Sequence, residues 1–290
     1  MASNPSGTFK PFAQTISTSL VYRFNSTETA FAADLPARGY TKAPGMPAAN
    51  WTGFYGFGGG GGGLWNAGSV TTTNEVGGAP PTIATEPRTG GRGAFGTLGA
   101  GYDWQFNRAW VAGIFADGQF GSLRGSISNT TFSFAGPETL RNTWAVGARL
   151  GYLVAPNVLS YVNAGYTGSN WSGSTLIGQF TVPAFNAPGT LTTPSFTSNG
   201  WFVGGGIENS LNIFRISVPN LFLKTEYRAA YFGSRTLPQT PSQNLVGIQF
   251  NNMLAPFSGT ASGTFKPQDQ TISTSLVYRF NWGGPMVAKY

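Results

Sequence analysis

Cysteine and histidine are both absent from the 290 residues. Their absence removes disulfides, thiolate nucleophiles, zinc sites with Cys or His ligands, and His-based catalytic triads. Charge is scarce as well: 9% of residues are charged, against about a quarter in an ordinary soluble chain, so the surface has little need of solvation by charge. The net charge is +7, but the basic residues are scattered, and no run of them resembles a nucleic-acid patch. Nucleic acid is therefore not an expected partner. Long apolar runs are also missing, since no stretch supplies the ~18–20 continuous apolar residues of a spanning helix. The uncharged run Ala43–Asn74 is long enough, but "GFGGGGGG" at 56–63 fills its centre. An uncharged surface without apolar helices leaves one membrane solution, a closed barrel whose strands satisfy one another's backbone groups.

What is present fits that solution. Eight segments read as strands, approximately 51–66, 92–106, 109–124, 139–155, 157–173, 199–216, 219–235 and 270–281. The connections between them alternate in length. They are tight around Asn107-Arg108, Pro156 and Val218-Pro219, and long at about 67–91, 125–138, 174–197 and 236–269. Short turns at one end and long loops at the other are the rhythm of an up-and-down barrel in an outer membrane. Residues two apart share a face of a strand. In "NTWAVGARLGYL", Trp144, Val146, Ala148, Leu150 and Tyr152 oppose Ala145, Gly147, Arg149 and Gly151. In "LFLKTEYRAAYF", Leu221, Leu223, Thr225, Tyr227 and Tyr231 oppose Lys224, Glu226 and Arg228. The larger apolar face is read as facing lipid, and the small and charged face as lining the lumen. The expected fold class is all-β: an eight-stranded antiparallel up-and-down transmembrane β-barrel with long external loops.

Two sets of side chains follow from that register. The inward charges are Asp103, Asp117, Glu208 and Glu226 against Arg149, Lys224, Arg228 and Arg279. Eight strands enclose an interior only just wide enough to be filled by side chains, so a paired, hydrogen-bonded lumen network is expected. The functional alternatives are a narrow conductive path or a catalytic carboxylate pair. All eight tryptophans, Trp51, Trp65, Trp104, Trp110, Trp144, Trp171, Trp201 and Trp282, fall at or just beyond a strand end. They are read as aromatic girdles at the two membrane interfaces. The glycine run lacks the Gly-Lys-Ser/Thr ending of a phosphate-binding loop, and no helix pattern follows it. It is read as small residues that let a strand bend or lumen side chains fit.

"AFAADLPARGYTKAP", "NWTGFYGFGGG", "GYDWQF", "GARLGYL", "GWFVGGGIE", "LKTEYR" and the ending "LVYRFNWGGPMVAKY" together resemble the small outer-membrane proteins of rhizobial-type alphaproteobacteria, a porin-family group of surface antigens. The resemblance runs from about residue 30 to Tyr290. It implies an eight-stranded barrel in the outer membrane of a Gram-negative bacterium, and a signal peptide cleaved after Ala30-Phe31-Ala32. It further implies a closing-strand insertion signal at Leu276, Tyr278 and Phe280, read by the barrel-assembly machinery. It implies no catalytic site and no cofactor. Eight-stranded acyl-transfer and deacylase barrels depend on histidine as families, so enzyme activity is not expected of a chain without it.

One feature complicates the N-terminus. "SGTFKPFAQTISTSLVYRFN" at 6–25 recurs as "SGTFKPQDQTISTSLVYRFN" at 262–281, differing only at Phe12 against Gln268 and Ala13 against Asp269. Residues 1–29 alternate like a strand and are too polar for a signal h-region. The organisation is therefore read as 1–29, a displaced copy of the closing strand; 30–50, cleavage site and periplasmic linker; and 51–290, the barrel. The expected function is an integral outer-membrane protein with a structural, surface-exposed or weakly porin-like role. The alternative is an adhesin or receptor whose long loops bind a surface ligand. The outer-membrane lipid itself is the remaining expected partner.

Overall fold

Alternation of large apolar with small or charged residues lets a strand separate lipid from a packed interior, and this chain does so around a closed ring. The computed structural model describes residues 50–73, 82–129, 134–155, 157–182, 187–211, 218–241, 249–250, 253–254 and 261–280. Among them are thirteen strands and no α-helix. They are β1 (Gly53–Thr73), β2 (Thr82–Gln105), β3 (Trp110–Asn129), β4 (Phe134–Ala155), β5 (Val158–Trp171), β6 (Ser174–Val182) and β7 (Ala187–Thr193). The remainder are β8 (Phe196–Ser210), β9 (Leu221–Phe232), β10 (Arg235–Pro241), the short pair β11 (Gln249–Phe250) and β12 (Met253–Leu254), and β13 (Ala261–Phe280).

Eight of these, β1-β2-β3-β4-β5-β8-β9-β13, form the antiparallel ring, and β13 closes it on β1 from Phe54↔Phe280 to Thr73↔Ala261. The outer face carries an apolar band, with Leu98 66% and Ile114 65% exposed. A continuous apolar surface around a whole barrel has no place in water. Along β13 the outward residues Ile272, Leu276, Tyr278 and Phe280 give way to Gln270, Gln268 and Lys266. Along β2 the same face runs from Trp104 to Ala94 and then meets Arg92. Those ten steps, at ~3.3 Å each and a tilt near ~40°, rise ~25 Å, the height of an apolar membrane band. The membrane-spanning parts therefore include 94–104 of β2, 142–154 of β4 and 271–280 of β13. Everything beyond them on the long-connection side stands clear of the hydrocarbon.

The long connections are largely strand. β5, β8 and β9 stop at Trp171, Phe196 and Phe232, and β6, β7 and β10 take their places above. The upper ladder runs β4–β6 (Ala135↔Ile177), β6–β7 (Leu176↔Leu191), β7–β10 (Thr192↔Thr240) and β10–β13 (Leu237↔Gly263). A second ring of eight thus continues the first. The handover points contain Gly173, Pro194 and Gly233, residues that cannot add a normal ladder step or that let the backbone bend. The loops expected at 67–91, 125–138, 174–197 and 236–269 are accordingly shorter than the sequence pattern indicates. Thr/Ser/Val alternation such as "SVTTT" continues a strand perfectly well once the outer face no longer needs to be apolar.

The interior is filled in layers. Near the short-turn rim, Trp51, Tyr55, Phe57, Phe115, Phe202, Phe222 and Val277 pack around the lumen charges. Above lies Trp65, Phe95, Leu123, Leu140 and Trp171 with Phe196, and above that Ile127, Phe134, Leu176, Leu191 and Phe265. Trp171 stacks on Phe196 at 5.8 Å, and Phe196 on Phe265 at 5.9 Å, tying the two upper layers together. The glycine run makes room for this: a Cβ at Gly59 would lie 2.6 Å from Ser275 Oγ, and one at Gly61 2.8 Å from the Phe95 ring.

Candidate functional site

The lumen charges form two layers, each held together by arginine forks. In the layer nearer the short turns, β4 supplies Arg149, β2 Asp103, β8 Glu208 and β13 Arg279. Arg149 Nε donates to Asp103 Oδ1 at 2.8 Å, Nη2 pairs with Asp103 Oδ2, and Nη1 reaches Glu208 Oε2 at 3.2 Å. Arg279 answers from the opposite wall, Nε to Glu208 Oε1 at 2.9 Å and Nη1 to Asp103 Oδ2 at 2.8 Å. Each acid is shared by both guanidiniums, a closed square in which no charge stands alone. Aromatic faces complete the solvation: Arg149 lies 4.3 Å from the Tyr55 ring centroid, and Arg279 4.3 Å from that of Trp51.

The second layer draws on β3, β5 and β9. Arg228 Nη1 donates to Asp117 Oδ1 at 2.9 Å and Nη2 to Glu226 Oε1 at 2.8 Å. Glu226 Oε2 also accepts from Tyr161 Oη at 2.8 Å and Asn163 Nδ2 at 3.0 Å. Lys224 Nζ sits 3.7 Å from Glu226 and 3.3 Å above the Phe57 ring. The structure thus brings all eight residues of the expected lumen set inside, each of them in an ion pair. Among the described residues no three carboxylates converge as a metal site would require.

Two further acids lie inside and were not legible in the sequence. Asp269 and Glu138 are 4% and 2% exposed, and both belong to the part of the barrel above the apolar band. Burial pushes Asp269 up to about 7, against the opposing pull of Arg228 and a hydrogen bond from the Ala230 backbone. Burial likewise pushes Glu138 up to about 7, although it accepts hydrogen bonds from the Thr139 N–H at 3.0 Å and Ser172 Oγ at 3.1 Å. Asp269 escapes a reading that starts the last strand at 270. Glu138 escapes because it falls in the connection read at 125–138, and because a bulge interrupts β4: the register steps from Phe120↔Asn142 to Leu123↔Leu140, so Leu140 and Thr143 both point inward. A strict count by two fails across that step.

The tryptophans divide. Trp104, Trp110, Trp144 and Trp201 are 38–58% exposed on the outer face, as girdle residues must be. Trp51, Trp65 and Trp171 are at most 3% exposed and point inward, which corrects their girdle assignment. Trp51 packs on Phe222 at 5.0 Å below the first charge layer, and Trp65 donates its indole N–H to the Leu123 carbonyl at 2.8 Å. A strand end is as suitable for closing an interior as for meeting a headgroup, so position in sequence does not separate the two roles. Trp282 and residues 1–49, with the N-terminal copy and the cleavage site, lie outside the described residues. Leu276, Tyr278 and Phe280 are 46–49% exposed on the outer face of β13.

A small cavity of about 10 Å³ lies beside Asp269, lined also by Thr271, Gln119, Thr143 and Asn142. It has room for about one water.

No family model matches the chain. It is 30% identical over 147 residues to the 31 kDa outer-membrane immunogenic proteins of Brucella melitensis and Brucella suis, which covers 50% of this chain and 56% of theirs. The chain thus spans about half the length of the curated relatives it matches. Solved structures similar to it include outer membrane protein OprG of Pseudomonas aeruginosa, 8% identical with a TM-score of 0.44, covering 81% of this chain and 100% of that one. The outer membrane protease OmpT of Escherichia coli is 11% identical with a TM-score of 0.40, covering 79% and 97%. Ail, the attachment invasion locus protein of Yersinia pestis, is 15% identical with a TM-score of 0.30, covering 77% and 99%.

Proposed function

We propose that the chain is an integral outer-membrane barrel with a structural, surface-exposed role and a filled, non-conducting lumen. The observation that carries this reading is the pairing of an apolar outer band with an interior in which aromatic layers stack on a closed charge network. The half-length similarity to immunogenic outer-membrane proteins supports the same location and a surface that meets the outside. The lumen charges serve stability: each carboxylate of the two layers is held by a guanidinium, an arrangement that suppresses rather than activates it as a base. Trp104 and Trp110 anchor one interface, Trp144 and Trp201 the other. The outward Leu276, Tyr278 and Phe280 supply the insertion signal recognised by the barrel-assembly machinery. The protein is not an enzyme on this reading.

The test is fractionation of the full chain, expressed in a Gram-negative host behind a heterologous export signal. It is expected in the carbonate-washed outer-membrane pellet and to migrate as a compact, heat-modifiable band. Recovery as a soluble periplasmic protein would reject the proposal.

A further inference from the structure

Among the residues whose side chains are described, the charges on the outside of the barrel are all of one sign. Every acid whose side chain is described (Asp103, Asp117, Glu138, Glu208, Glu226 and Asp269) is buried. The exposed charges are Arg92, Arg108, Arg124, Arg141, Arg235 and Lys266. Three of them converge on neighbouring strands. Arg92 of β2 and Arg124 of β3 are directly opposed in the ladder, both on the outer face. Like charges in that position stand ~5 Å apart at Cβ and destabilise the pair unless something neutralises them. Arg141 sits in the bulge of β4, unpaired in the ladders to both β3 and β5, two residues from the Thr139 that faces Arg124. A bulge re-aims its side chain, and this one is directed outward. Among the described residues none of the three takes part in an ion pair, although the Arg141 charge also acts on the buried Glu138 carboxyl and opposes its upward shift.

Their height narrows the partner. Arg92 lies twelve residues along β2 from Trp104, and Arg141 eleven along β4 from Tyr152. At ~3.3 Å per residue and ~40° tilt, both stand ~28–30 Å above the short-turn girdle, just past the ~25 Å apolar band. Phe120 and Trp144, 60% and 41% exposed, lie four and three residues below Arg124 and Arg141 on the outer face, as aromatic residues do at headgroup depth. A soluble anion would have no reason to bind at the lipid edge, and an acidic protein partner would not need aromatic residues beneath the charges. We propose that Arg92, Arg124 and Arg141 form a site for the phosphates of an outer-leaflet lipid headgroup. The proposal rests on the membrane reading above, with the long-connection end outward.

The experiment uses the full chain in phosphatidylcholine nanodiscs doped with bisphosphorylated lipid A or with the same lipid lacking its phosphates. A further arm contains phosphatidylcholine alone plus inorganic phosphate. Lipid retained per barrel is read by native mass spectrometry and titrated for apparent affinity. Wild type is expected to retain the phosphorylated lipid selectively. The triple variant Arg92→Gln/Arg124→Gln/Arg141→Gln is expected to bind it about a hundredfold more weakly, at roughly fivefold per arginine. Arg108→Gln, at the opposite rim, is expected to leave binding unchanged. Equal retention of both lipids, an unaltered affinity in the triple variant, or saturation by inorganic phosphate alone would overturn the site. Should the triple variant not fold, Arg124→Gln alone removes the like-charge opposition, and the two-lipid comparison on wild type decides by itself. A chain that inserts into no disc rejects the membrane reading and the site together; one that inserts but retains both lipids equally rejects the site only.

Discussion

Arg149→Leu is expected to destabilise the folded barrel by about 3–5 kcal/mol, the cost of stranding a buried charge by removing its partner. Arg149 is buried at the centre of the square with Asp103, Glu208 and Arg279. Its loss leaves two fully buried carboxylates to share one guanidinium, in a layer walled by Trp51, Tyr55 and Phe222. The loss comes from the orphaned acids, so a second change should return part of it. Arg149→Leu with Asp103→Leu removes one unit of each sign and is expected to recover stability relative to the single variant. Urea titration of the vesicle-folded protein, followed by heat-modifiable gel migration, measures both. A single variant as stable as wild type would show that the square contributes nothing.

The second large effect is with pH. Asp269 and Glu138 hold their protons to about 7 in the folded barrel, against ordinary values of 3.8 and 4.5. The unfolded chain therefore releases these protons near pH 4, while the folded barrel keeps them until near pH 7. Their contribution to stability is complete below about pH 4 and is lost as pH rises to about 7, after which it stays flat. The size is roughly 3–4 kcal/mol for each group at one pKa unit to ~1.4 kcal/mol. Asp269→Asn, which keeps an acceptor for the Ala230 N–H, is expected to match wild type at pH 4 and exceed it at pH 8. Glu138→Gln should do the same. Parallel stability–pH profiles for wild type and Asp269→Asn would contradict the assignment. The proton also balances the interior: with both acids neutral, four carboxylates face four cations.

Within the apolar band, much of this structure is written in the sequence. Parity alone places Arg149, Glu226, Arg228 and Arg279 on one face and Leu150, Tyr227 and Leu276 on the other, because lipid demands apolar residues at every second position. Above the band that demand ends. Thr71, Ser69 and Gly263 face inward as regularly as Tyr55 does, but nothing in their residue types marks the outer face as different. The strands consequently run further than the sequence pattern indicates. Glu138 is hidden for a related reason: it falls in the stretch read as a connection, and the bulge at Arg141 shifts parity between it and the rest of β4. The repeated segment gains a meaning of its own. All of 262–280 is one strand, and its two departures from the N-terminal copy both occupy structured positions: Gln268 bonds Asn66 across the closing ladder, and Asp269 is buried inside. The copy at 262–281 is thus fitted to the closing position, where Phe12 and Ala13 would supply neither interaction.

The filled lumen is the claim from which the functional reading follows, and planar lipid-bilayer recording of the purified, folded barrel tests it most directly. Aromatic layers from Trp51 through Trp65 and Trp171 to Phe265 cross the interior at successive levels, with paired charges between them. The predicted record is a quiet baseline without steady large-conductance steps, at any voltage the membrane withstands. A steady large conductance that scales with the number of inserted barrels would contradict it.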